Sequence, residues 1–84
     1  MPKQSYVWLK TDGSHGQVDL GQLLTLEEMQ GLVGGYIERI SVRYEGKLRD
    51  MWVNEEGLLD SLPQNHEASR IARRLIVGDV FIIL

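Results

Sequence analysis

The chain has no cysteine. That excludes disulfides, thiolate metal sites and thiol nucleophiles, and it fits a reducing cytoplasm. Proline occurs only twice, and no linker, repeat or low-complexity segment breaks the chain. There is no basic excess: nine Lys and Arg face twelve Asp and Glu, a net charge of −3. That argues against non-specific nucleic-acid binding. Long apolar runs are missing too. Residues 75–84 are the most apolar stretch, yet Gly78-Asp79 interrupts them. They fall far short of the roughly 20 residues a membrane span needs. Residues 1–6 are polar and no apolar run follows, so no signal peptide is expected. The expectation is a soluble, cytoplasmic chain without membrane contact.

Reaction motifs are equally scarce. His15 and His66 are the only histidines, and neither has the spacing of a zinc hydrolase. Gly34-Gly35 follows a helical pattern and precedes a strand pattern. That is the reverse of the order an anion site at a helix N-terminus requires. No catalytic residue, metal set or cofactor is expected.

What is present suits one globular domain spanning residues 1–84. The apolar fraction is 43%, ordinary for a folded chain. A domain this small buries only about 60% of its unfolded surface, so association is a common remedy for marginal stability.

Residues 6–11 are rich in β-formers and run into the turn chemistry of Asp12-Gly13-Ser14-His15-Gly16. Residues 17–20 alternate polar and apolar, completing a predicted hairpin. Thr25 and Glu28 form a capping box. Leu26, Met29, Leu32 and Val33 then make a helical stripe, which Gly34 ends. Residues 36–44 and 47–54 read as a second hairpin around the two-residue loop Glu45-Gly46. That loop sets Arg39 opposite Trp52, Ser41 opposite Asp50, and Arg43 opposite Leu48. Asn65 caps a second helix with the stripe Ala68, Ile71, Ala72 and Leu75. Residues 80–84 form a strand apolar on both faces, which belongs inside a sheet. The fold class is therefore α+β. A small mixed or antiparallel sheet in the order β-β-α-β-β-α-β is expected to carry two short helices packed on one face.

Several side chains invite a chemical reading. Arg39, Arg43, Asp50 and Trp52 share a hairpin face. A Trp beside guanidiniums can stack a base while the arginines meet phosphate. The plainer alternative is a cross-strand cation–π pair, or a face buried in a dimer. Glu38 lies on the other face, where a carboxylate needs a partner. It either meets ribose hydroxyls or pairs with Arg49 or an arginine of the second helix. Asn54, Glu55, Glu56 and Asp60 lack the ligand spacing of a calcium loop and read as a solvated turn. Arg70, Arg73 and Arg74 read as a solvated basic face. The expected ligand-binding set is Trp52, Arg39, Arg43, Glu38 and Asn54.

Four motifs carry a wider likeness. They are Val33-Gly34-Gly35-Tyr36-Ile37-Glu38, then Val53-Asn54-Glu55-Glu56-Gly57, then Leu62-Pro63 with Asn65 and Ala68, and finally Gly78-Asp79-Val80. Together they resemble a small domain-of-unknown-function family of phages, plasmids and their bacterial hosts, over residues 26–84. Residues 1–25 carry no mark of it. The resemblance implies a mobile-element context and no settled activity. By analogy with other small phage proteins it suggests anti-defence work in the host cytoplasm. The expected function is non-enzymatic capture of a small phosphorylated or nucleotide-like ligand by a homo-oligomer, such as a nucleotide-derived immune signal. The alternative is a protein-interaction module that inhibits or adapts a host protein.

Overall fold

Two hairpins and a lone C-terminal strand share a single sheet. The computed structural model describes residues 4–84. The first three residues of the expected domain, and of its polar leading segment, lie outside the described residues. The elements are β1 (Gln4–Leu9), β2 (His15–Leu20), α1 (Leu26–Val33), β3 (Ile37–Tyr44), β4 (Lys47–Asn54), α2 (His66–Ala72) and β5 (Val80–Ile83). They follow the predicted order. The sheet runs β2-β1-β5-β4-β3, and every neighbouring pair is antiparallel.

β5 is central because its sequence allows nothing else. Val80, Phe81 and Ile82 are all buried, although successive side chains point to opposite faces. A strand apolar on both sides needs cover on both sides. The helices supply it, and here the structure corrects the expectation that both pack on one face. Val33, Met29 and Leu32 of α1 pack with Tyr6, Trp8, Trp52 and Phe81. Ala68, Ile71 and Ala72 of α2 pack with Val7, Leu9, Val42, Met51, Val80 and Ile82. The residues of β1, β4 and β5 divide between the two clusters by alternation, so the helices lie on opposite faces.

α1 begins at its capping box. The Thr25 hydroxyl accepts from the Glu28 amide, and Glu28 accepts from the Thr25 amide at 2.9 Å. It ends where Gly34 turns left-handed at φ 81°, a conformation glycine adopts without strain. α2 stops at Ala72 instead of reaching Leu75. Arg73 takes a left-handed φ of 57°, and the chain folds back. The Ser69 hydroxyl both donates to the Ile76 carbonyl and accepts from the Ile76 amide. Leu75 is left exposed by that reversal. Among the described residues, no helix is long and apolar enough to cross a membrane.

Candidate functional site

The β3–β4 hairpin turns on Glu45 and Gly46, both at positive φ, as a tight two-residue loop demands. Its register is the one the loop length predicts. Arg39 pairs with Trp52, Ser41 with Asp50, Arg43 with Leu48 and Tyr44 with Lys47.

One row of side chains on the α1 face crosses the whole sheet. In register it reads Gly16, Trp8, Phe81, Trp52 and Arg39. Phe81 is fully buried and Trp52 half-buried. Trp52 packs against the Tyr6, Val33 and Phe81 cluster, so α1 covers part of its indole. Along β3 and β4 the cover then thins. Arg39, Ser41 and Arg43 are exposed, Asp50 is half-buried, and Leu48 is 72% exposed. A shallow depression of about 220 Å³ adjoins them between Leu48, Asp50 and Ile83. The open half-face is thus a flat patch with a partly apolar border.

The arginines on it are unengaged. Among the described residues the one side-chain ion pair joins Arg70 to Glu67, and no hydrogen bond involves Arg39 or Arg43. The predicted cation–π alternative does not form there either. The cation–π contact present places the Lys10 ammonium 5.6 Å from the Trp8 ring.

The remaining two predicted ligand residues stand elsewhere. Glu38 pairs with Val53 on the α2 face, pointing away from Arg39, Trp52 and Arg43. It is exposed, and neither suggested arginine partner reaches it, so water solvates the carboxylate. Asn54 is only 8% exposed and its amide is already occupied. Its Nδ2 donates to the Val33 carbonyl at 3.3 Å, and its Oδ1 accepts from the Glu56 amide at 2.8 Å. It clamps the end of α1 to the end of β4. The structure therefore unites Trp52, Arg39 and Arg43 and separates Glu38 and Asn54 from them.

Two features escaped sequence reasoning. His15 and His66 line a common groove of about 540 Å³ with Tyr44, Glu67 and an apolar floor of Val7 and Leu9. No spacing rule joins residues so distant in the chain. Tyr36, 64% exposed, borders a depression of about 390 Å³ with Gln30, Asn54, Glu56 and Asp60. An aromatic directly after Gly34-Gly35 was its only signal. Among the described residues, no three His, Asp or Glu side chains converge in a metal-binding arrangement.

Perturbed carboxylates lie away from the open patch. Hydrogen bonds from Thr25 hold the Glu28 carboxyl below its ordinary range. Ser14 does the same for Asp12, and Ser5 followed by Gln17 for Asp19. Arg70 lowers Glu67. These shifts report caps, turns and a helix-surface pair.

Comparison with known proteins adds the family. A family described as a domain of unknown function (DUF3846) matches residues 7–84, and the chain belongs to it. The match takes in β2 and most of β1, which carry none of the four motifs. No curated protein and no solved structure matches the chain.

Proposed function

We propose that this chain is a non-enzymatic binding protein that captures a phosphorylated, nucleotide-like anion on the open half of the α1 face. One observation carries the reading. Arg39 stands opposite Trp52, and Arg43 lies four residues further along the same face, opposite Leu48. Both are exposed, and neither has an acidic partner among the described residues. An unengaged guanidinium can turn its fork of donors to a phosphate. The uncovered part of the Trp52 indole adds a stacking surface, and stacking is worth about 1–3 kcal/mol per base. Glu38 faces the other way and Asn54 is already bonded, so the ligand set contracts to Arg39, Arg43 and Trp52.

The motif likeness to phage and plasmid proteins supplies a context. In it the ligand is a nucleotide-derived immune signal, sequestered in the host cytoplasm. That step is analogy, since fold and family do not by themselves fix a function.

A second reading rests on a different observation. Leu48 is 72% exposed beside Arg43, and β3 is an edge strand. Such an edge can accept a strand from a host protein.

Thermal unfolding against nucleotides, cyclic dinucleotides and ADP-ribose derivatives separates the two. A ligand at about 100 times its dissociation constant adds about 2.7 kcal/mol if it binds only the native state. For a domain this size that is a shift on the order of 10 °C. A shift of that size that disappears in Arg39→Ala supports anion capture. A flat panel together with a stoichiometric host protein supports the second reading instead.

A further inference from the structure

We infer that β3 pairs with β3 of a second copy across a two-fold axis at Ser41, and that this pairing assembles one anion site from Arg39 and Arg43 of both copies. The inference rests on the anion-capture reading and deepens it. It names the missing half of the site and the kind of ligand that fits.

The edge itself comes first. The Glu55 amide donates to the Tyr36 carbonyl at 2.9 Å. In an antiparallel ladder the bonded pairs alternate. Counting from Tyr36, residues 38, 40, 42 and 44 turn their backbone groups toward β4. Ile37, Arg39, Ser41 and Arg43 turn theirs outward. Among the described residues nothing bonds to these outward groups, and Arg39, Ser41 and Arg43 are exposed. The strand pairs one-for-one with β4 along its eight residues. It contains no proline, lysine or bulge. The charges that guard it are Glu38, Arg39 and Arg43, and the two arginines do so only until an anion neutralises them.

Symmetry then limits the register. Opposed residues in an antiparallel pair share a face, so the axis must pass through a residue. An axis at Ile40 would set the Glu38 carboxylate against Val42, which is 3% exposed. That costs solvation without a partner. An axis at Ser41 sets Ile40 against Val42 of the second copy, and the reverse. Both residues already pack in the α2-face core, so pairing extends it.

On the α1 face the same register places Arg39 opposite Arg43 of the second copy. The row becomes Trp52, Arg39, then Arg43 and Leu48 of the second copy. Its symmetry mate lies four residues along the strand, with the Ser41 row midway between them. Four guanidiniums surround the paired serines. Like charges directly opposed are unfavourable in a sheet. An anion between them removes the repulsion, which couples ligand binding to pairing. The patch is two-fold symmetric: four arginines stand around the two serines, Asp50 of each copy ends the middle row, and a Trp sits at each of two corners. The arginines outnumber the carboxylates two to one. This arrangement suits an anion bearing at least two phosphates with planar groups on either side.

The absence of cysteine makes a clean test, since one introduced thiol is then the only one. In the proposed register the Cα atoms of the two Ser41 residues lie about 5.5 Å apart, within disulfide reach. Ser41→Cys should form a covalent dimer on mild oxidation, faster with pyrophosphate present. Gln17→Cys, on the opposite edge, should stay monomeric under the same conditions. Sedimentation equilibrium of the unmodified chain should show pyrophosphate tightening the dimer about tenfold, an ordinary coupling between sites. Arg43→Ala should remove that response. A chain that binds pyrophosphate yet sediments as a monomer overturns the paired site and leaves anion capture standing. Cross-linking of the Ser41→Cys variant with no pyrophosphate binding overturns the four-arginine site and anion capture together.

Discussion

The side-chain amide of Asn65 donates to the Leu9 carbonyl at 3.1 Å, tying the start of α2 to the end of β1. The same nitrogen donates to the Gly78 carbonyl, and the amide oxygen caps α2 by accepting from the Ala68 N–H. Asn65 is completely buried. Asn65→Ala removes the cap and leaves two buried carbonyls short of a donor. The expected loss is about 3 kcal/mol, a large share of a small domain's stability. Urea unfolding measures it, and an unchanged midpoint would contradict this role.

Gly16→Ala should also destabilise the chain. A Cβ built on Gly16 would lie 2.6 Å from the Trp8 ring, because the indole rests on the strand backbone of its cross-strand partner. Overpacking of this kind costs about 1–3 kcal/mol. Trp fluorescence and the melting temperature should both shift. A variant as stable as the parent would show that Trp8 moves aside freely.

Acid should weaken the fold through identifiable carboxylates. Asp12, Asp19, Glu28 and Glu67 all have lowered folded-state pKa values. A lowered folded pKa means stabilisation that is present above the unfolded value. It is lost as pH falls through the folded one. The melting temperature should therefore decline below about pH 4. Glu28→Gln keeps an acceptor for the Thr25 amide but removes the titrating carboxyl, so its decline should be shallower. Parallel curves for parent and variant would remove Glu28 from the explanation.

Arg39→Ala and Arg43→Ala should abolish ligand-induced stabilisation while the unliganded melting temperature stays close to the parent's. Both side chains are exposed, and surface substitutions usually fall within about 0.5 kcal/mol. Trp52→Ala is a poorer test, because Trp52 also packs against the α1-face core. Its loss would lower stability and binding together.

Glu38→Gln should leave anion binding unchanged. Glu38 pairs with Val53 on the α2 face, opposite the arginine patch. Calorimetry with the best ligand of the thermal panel gives the answer. A tenfold or greater loss of affinity, about 1.4 kcal/mol, would mean that the ligand wraps around the β3 edge.

Much of the local structure was legible in the residues alone. Thr25 and Glu28 announced a cap that forms as expected. Glu45-Gly46 set the β3–β4 register, and every predicted pair is present. The candidate site was legible to the same depth. Loop length and alternation placed Arg39, Arg43 and Trp52 on one face. They did not show how much of Trp52 α1 covers, or that Asn54 is consumed by the Val33 carbonyl and the Glu56 amide. The helix placement was half-legible. A β5 apolar on both faces already required two covering layers, and the expectation of helices on one face overlooked that demand.

Caps, turns, hairpin pairing and the central place of β5 were all written into the order of the residues. Each depends on neighbours a few residues apart or on simple alternation, so local sterics and hydrogen bonding decide it. The strand order, the opposed helices, the groove shared by His15 and His66, and the bond from Asn65 to Leu9 emerged only from the packed chain. Those contacts join segments far apart in the chain. Their outcome depends on how both faces of one sheet are buried at once, and no local pattern encodes that competition.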